Sequence, residues 1–183
     1  AGFQAQTLAP GLYWGMWIWQ YSVDMTSFTI IPEGKIGLVL SKDGKEIPTG
    51  RILARKVDSD NFQDATAFLN NGGQKGRQSA FITTGSYRIN TFLFEIVMAE
   101  QIKIFENMVG IVTALDGDRI PQGQIAGKFV DGHNNFQDFD FFLEKGGNRG
   151  LQPQVMLAGS YYINTWAIQI EQNPMTDVPI GYV

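Results

Sequence analysis

"NFQDATAFLNNGGQKGRQ", residues 61–78, returns as "NFQDFDFFLEKGGNRGLQ" at residues 135–152. The offset is 74 residues, and it extends in both directions. "IGLVLSKDGKEIPTGRILARKVD" from Ile36 falls on "VGIVTALDGDRIPQGQIAGKFVD" from Val109, an offset of 73. "GSYRINT" from Gly85 falls on "GSYYINT" from Gly159, again at 74, so one inserted residue near His133 separates the two registers. The ends follow suit: "WQYSVDMTSFTIIPEGKI" from Trp19 aligns with "WAIQIEQNPMTDVPIGYV" from Trp166, and "GFQAQTLAPGLY" from Gly2 resembles "GRQSAFITTGSY" from Gly76. Self-similarity at a fixed period marks a tandem architecture. The register divides the chain into residues 1–27 as the C-terminal part of a preceding module, full modules at 28–100 and 101–175, and a first strand of a following module at 176–183. On this reading the chain is a piece of a longer array.

Each module is expected to open with a strand, Phe28 to Ser41, punctuated by Pro32 and Gly34. Asp43-Gly44 and Asp116-Gly117 sit between apolar runs, which predicts hairpin turns, since both residue types tolerate positive φ. A return strand would carry Ile47, Ile52 and Leu53, bent by Pro48 and Gly50. "DSDNFQD" offers Asp60 or Asn61 as an N-cap, and Phe62, Ala65, Phe68 and Leu69 mark one helix face, which predicts helices over 62–70 and 136–145. Gly72-Gly73 and Gly146-Gly147 end them. A third strand, Gln78 to Thr83, turns at Thr84-Gly85 into a fourth, Tyr87 to Met98. The expected fold class is α+β, mostly β: tandem β-β-α-β-β modules of about 73 residues with antiparallel strands and one short helix each.

The aromatic stretch "YWGMWIWQYSV", residues 13–23, is read through the same register. Trp19, Tyr21 and Val23 align with Phe92, Phe94 and Ile96, and with Trp166, Ile168 and Ile170. Alternation with polar neighbours has the period of a strand with one buried face, so Trp19 and Tyr21 are expected in a core. Trp14 and Trp17 do not fit that alternation. They are the candidate binding residues, as exposed stacking faces for a ligand such as carbohydrate.

Composition narrows the function classes. The 183 residues are 44% hydrophobic and 17% charged, which describes a globular chain. The net charge of −4, without a basic cluster, argues against nucleic acid as a partner. There is no cysteine, hence no disulfide framework and no thiolate metal site. No apolar run reaches the roughly 20 residues that span a bilayer.

Candidate chemistry is sparse. "GGQKG" and "GGNRG" invite comparison with phosphate loops, but those precede a helix whereas these follow one, as C-caps do. Asp116-Gly117-Asp118 hints at calcium, yet the spaced ligands and closing glutamate of a calcium loop are missing, and a turn is favoured. Asp58, Asp60 and Asp64, and likewise Asp131, Asp138 and Asp140, could pair as acid and base. Around a helix start they are expected as caps. His133, the single histidine, has no second imidazole and no cysteine beside it, and reads as a solvated loop residue. The expectation is no catalytic residue, no metal site, no cofactor, and thus not an enzyme.

The phrases "IPEGKIGLVLSKDGKEIPTGRILARKVDSDNFQDATAFLNNGGQKGRQ", "GSYRIN", "GHNNFQDFDFFLEKGGNRGLQ" and "MTDVPIGYV" together resemble the long bacterial flotillin-like proteins of the stomatin/prohibitin/flotillin (SPFH, band 7) superfamily. The likeness covers nearly the whole chain and rests on turns and caps. It implies a soluble part of a membrane-anchored protein, with the membrane reached through regions outside these residues. It further implies self-association into a homo-oligomer and a scaffold role for membrane proteins or lipids. It implies no catalytic residues.

Overall fold

The structure is a computed structural model, and it describes residues 2–17 and 19–176. Two runs of elements follow one another. The first unit contains β1 (Thr29–Ile31), β2 (Lys35–Ser41), α1 (Ala65–Asn70), β3 (Gly76–Ile82), β4 (Gly85–Tyr87) and β5 (Phe94–Glu100). The second contains β6 (Ile102–Ile104), β7 (Met108–Ala114), α2 (Phe139–Glu144), β8 (Gly150–Met156), β9 (Gly159–Tyr161) and β10 (Ile168–Pro174). The protein is α+β and mostly β, with antiparallel sheets and two short helices. In each unit the long strand after the proline or asparagine turn is central: the order is β3-β2-β5 in one sheet and β10-β7-β8 in the other. A two-stranded ribbon, β1-β4 or β6-β9, completes each unit.

Repetition reaches the irregularities. The β2–β3 register shifts between Leu38 and Leu40, and the β7–β8 register shifts between Ile111 and Thr113. The skipped residues, Val39 and Val112, are both buried. A bulge at the same place in two sheets is a built feature that turns the strand over its core.

The repeated "NFQD" is a compact structural device. Asp60, Asn61 and Phe62 have φ of 50°, 52° and 65°, and Asn134, Asn135 and Phe136 have 48°, 50° and 60°. Three successive non-glycine residues in the left-handed region cost roughly 1–2 kcal/mol each, so the surrounding contacts must hold them. The phenylalanine is buried in the core in both copies. The glutamine reaches across to the next element: Gln63 Oε1 accepts from the Arg88 N–H at 3.0 Å, and Gln137 Oε1 from the Tyr162 N–H at 3.0 Å. The aspartate is the helix cap, since Asp64 Oδ1 accepts from the Ala67 N–H at 2.8 Å and Asp138 Oδ1 from the Phe141 N–H at 3.1 Å. This corrects the expected cap at Asp60 or Asn61 and shortens both helices at their starts. The left-handed turn uses up the residues that sequence periodicity gives to the first helical turn.

The double glycines do end the helices. The Gly72 N–H donates to Leu69 O and the Gly73 N–H to Phe68 O, with Gly72 at φ 81°, which is a Schellman closure. Gly73 serves packing as well, because a Cβ there would overlap the Phe68 ring.

The return strand expected after Asp43-Gly44 is not formed. The Lys45 N–H donates to Gly73 O and the Lys75 N–H to Lys45 O, so the chain leaves the turn alongside the approach to β3, in parallel. Pro48 and Gly50, the latter at φ 93°, then break any continuous ladder. The fourth strand is also not continuous. Asn90 Oδ1 accepts from the Phe92 N–H at 3.1 Å, and this Asx turn separates β4 from β5.

Each unit has its own core. In the first, Phe62 and Phe68 each meet Phe94 edge to face, with ring centroids of Phe68 and Phe94 4.9 Å apart. In the second, Ile168 occupies the place of Phe94, and Phe139 that of Ala65, so aromatic bulk moves from strand to helix. Leu53 of the first unit is counted in the second core.

The aromatic stretch departs from expectation. Residues 8–28 form no strand among the described residues, and Trp19 is 75% and Tyr21 47% exposed. By the repeat register Tyr21 corresponds to the buried Phe94 of β5, which is held by β2, whereas Trp19 corresponds to Phe92 in the turn before it, itself 48% exposed. Among the described residues no strand pairs with residues 19–26, and without a ladder the alternating face stays in solvent. Of the strand expected over 176–183, residues 177–183 lie outside the described residues.

Candidate functional site

The chemistry of the molecule is concentrated where the two units meet. Asn164, buried in the turn before β10, donates its amide to two successive carbonyls of β3, Gln78 O at 3.0 Å and Ser79 O at 2.8 Å. Its Oδ1 accepts from the Trp166 N–H at 2.9 Å. All three contacts of this amide are to main chain, so the grip is indifferent to the side chains of β3. Above it the Arg77 guanidinium lies 5.2 Å from the Trp166 ring centroid, within the range of a cation–π contact.

A second contact is ionic. Asp116, at the turn after β7, is buried, and its Oδ1 accepts from Arg51 Nε at 3.0 Å. Its Oδ2 accepts from the Leu53 N–H at 3.0 Å and its Oδ1 also from the Gly117 N–H at 2.7 Å. The carboxylate is thus satisfied by one charge and two amides, which is the condition for burying it. The turn that suggested calcium is a docking acid for the neighbouring unit.

The third contact is Asp140, in the first turn of α2. Its Oδ1 accepts from the Lys56 N–H at 3.0 Å and from the Ser79 hydroxyl at 2.5 Å. Burial pushes this carboxyl above the usual value of 3.8. The Ser79 hydroxyl, the Lys56 N–H and the Lys56 charge pull the other way, and Asp138 adds to the rise. Beside it lies an open cleft of ≈ 500 Å³, lined among others by Asp58, Asp60, Asn61, Ser79 and Asp138. Two of its acids are engaged in structure: Asp60 accepts from Gln63 Nε2 at 3.2 Å, and Asp138 caps its helix. Among the described residues, no group of three acidic, histidine or cysteine side chains is placed to hold a metal ion.

The histidine stands elsewhere than expected. His133 is buried, stacked on Phe136 with ring centroids 4.1 Å apart. Its Nδ1 accepts from the Phe136 N–H at 2.8 Å, which assigns the ring proton to Nε2, donated to Gln154 Oε1 at 3.1 Å. Gln154 Nε2 donates on to Val130 O at 2.7 Å. In the first unit the same position is Ser59, whose hydroxyl donates to Val57 O at 3.3 Å, so the side-chain bond to the left-handed turn belongs to His133.

Trp14 and Trp17 are exposed, at 89% and 55%. Trp17 stacks on Trp19 with centroids 5.5 Å apart and planes inclined by 19°. The two candidate binding residues lie in the irregular segment, remote in sequence from the junction residues.

Sequence reasoning missed the junction. Asn90 and Asn164 are identical in the two copies, and a polar residue kept within an apolar run of a repeat was the one available signal. Asp140 gave none, because Thr66 takes its place in the first unit. No protein-family model, no curated protein and no solved structure matches the chain.

Proposed function

We propose that the chain is a non-catalytic structural and assembly module of a membrane-associated, flotillin-like scaffold protein. The observation that supports this most is the junction itself. Its buried amide, its ion pair and its bonded carboxylate all fix one unit on the next. The sequence resemblance described above supplies the membrane-scaffold part of the reading. No helix among the described residues is long and apolar enough to cross a membrane. In this reading the membrane is reached by other parts of the protein. Fractionation of the source cells with an antibody raised against these residues tests it. The protein is expected in the membrane fraction, in a homo-oligomeric complex. Recovery as a soluble monomer would overturn the proposal.

A second reading, a ligand-binding β-module for carbohydrate, is favoured by the exposure of Trp14 and the stacked Trp17–Trp19 pair. Flat, solvent-facing indoles suit the apolar face of a sugar ring. Titration with soluble oligosaccharides should then quench tryptophan fluorescence in the wild type and not in Trp14→Ala/Trp17→Ala.

A further inference from the structure

The junction between the units has a second version at the front of the molecule. Asn90 donates its amide to Gln4 O at 3.1 Å and Ala5 O at 3.0 Å. These are the counterparts, at the repeat offset of 74, of Asn164 and its partners Gln78 and Ser79. Phe3 stacks on Phe92 with centroids 4.1 Å apart, where Arg77 lies over Trp166 in the inner junction. Arg88 Nε donates to Thr7 Oγ1 at 3.2 Å. Residues 3–7 therefore act as a strap: a short main-chain segment seated in the clasp that β3 occupies one unit later.

The far end of the molecule carries the complementary half. The residues of the second unit that correspond to Lys56 and Arg77 are Phe129 and Leu151, and both are exposed. By the same register Gln152, buried, and Pro153, exposed, take the places of Gln78 and Ser79, whose carbonyls Asn164 grips. Gln124 stands where Arg51 meets Asp116. This trailing face has the layout of the covered one, with its cations replaced by an amide and by apolar side chains.

We propose that the trailing face of the second unit is the docking surface for the front of a second copy of this chain, seated as the second unit sits on the first, with the strap of the incoming copy displaced. The inference rests on the structural reading above and adds the partner and its geometry. Asn90 of the incoming copy takes the carbonyls of Gln152 and Pro153, a grip that needs no particular side chain. Phe92 exchanges Phe3 for Leu151, one apolar neighbour for another. Gln124 offers an amide to Asp43, which is exposed in the free chain. With Gln124 in the place of Arg51, this contact lacks the ion pair of the inner junction and depends less on salt than the Arg51–Asp116 junction would. The strap is tethered to the clasp it fills, so it competes at high effective concentration and keeps the front closed in dilute solution. Because the two surfaces differ, each added copy leaves a free front and a free trailing face, and growth continues past a dimer.

The test uses the full chain. Phe3→Ala/Thr7→Ala removes the strap's stack and its bond to Arg88 while leaving Asn90 and the trailing face intact. Sedimentation velocity across a concentration series should show species larger than dimers at concentrations at least roughly tenfold below those the wild type needs. Adding Phe129→Asp/Leu151→Asp should return the strap variant to a monomer, and so should an excess of a peptide of residues 2–9. A strap variant that sediments as the wild type does overturns the proposal, and so does association that survives Phe129→Asp/Leu151→Asp. If the strap variant misfolds, the wild type at high concentration replaces it: association suppressed by the peptide supports the proposal, and a monomer at every concentration refutes it. A monomeric strap variant alongside membrane-bound oligomers from the source cells would remove this contact and leave the scaffold reading standing.

Discussion

Asn164 satisfies three main-chain groups of two units with a single side-chain amide. Asn164→Ala strands two carbonyls and one N–H in a buried place, and each orphan costs about 1–3 kcal/mol. The loss expected in urea unfolding is accordingly several-fold larger than for a surface asparagine. Asn164→Asp should be worse than alanine at neutral pH, since a carboxylate facing two carbonyl oxygens has acceptors where donors are required. Equal stability of the aspartate variant and the wild type would contradict the assignment of that amide. Asp140 makes a separate prediction through pH. The unfolded carboxyl titrates at its ordinary 3.8 and the folded one higher. The folded chain therefore binds more protons in the window between them, and the contribution of this residue falls as pH rises from 3.8 through the folded value. Asp140→Asn removes that loss. Measured at stepped pH on the acid side of neutrality, the wild type should lose stability relative to Asp140→Asn as pH increases, and a trend of opposite sign would show that the bonds from Ser79 and Lys56 outweigh burial.

At the scale of elements, the caps discriminate between the sequence-based and the observed helix starts. Asp64→Ala and Asp138→Ala should each cost about 1 kcal/mol. Asp60→Gly should cost less or even stabilise, because glycine adopts φ near 50° freely. Chemical denaturation of the three variants decides between the two starts. The fold class was legible because the strands β2 and β7 carry contiguous apolar residues between repeated turn phrases, and two copies of each phrase average out local accidents. The helix ends were legible in the glycine pairs. The helix starts were not: Asp60, Asn61 and Phe62 read as a cap and a first turn, and although Asp and Asn tolerate positive φ, nothing in a phenylalanine announces a third left-handed residue. The missing return strand is a case where Asp43-Gly44 was read rightly as a turn and wrongly as a hairpin, since what decides the pairing is the distant contact of Lys45 with Gly73 and Lys75. Trp19 and Tyr21 had the right alternation, but burial needs a partner strand as well as a pattern. The junction was the least legible part, because Asn164 and Asn90 recognise carbonyls, which every residue has.

For the whole molecule, the question is whether two cores unfold as one. Leu53 inserted into the second core and the Arg51–Asp116 pair couple them. Asp116→Ala leaves the Arg51 guanidinium half-buried without its carboxylate and frees the Leu53 N–H, and breaking such a pair from one side costs about 3–5 kcal/mol. Calorimetry of the wild type should show one transition, and of Asp116→Ala a broadened or divided one, with the two units melting apart. A single sharp transition in the variant would mean that the apolar contact of Leu53 suffices. The main-chain grip of Asn164 has a consequence for descent as well as for strength. A side-chain interface must be rebuilt each time either partner drifts, so two surfaces have to mutate in concert. A clasp that reads only carbonyl oxygens is carried whole on one unit and is indifferent to drift in the other. Duplicating one unit would carry that clasp along with it, whereas the Arg51–Asp116 pair and the Ser79–Asp140 bond would have to be kept on both partners.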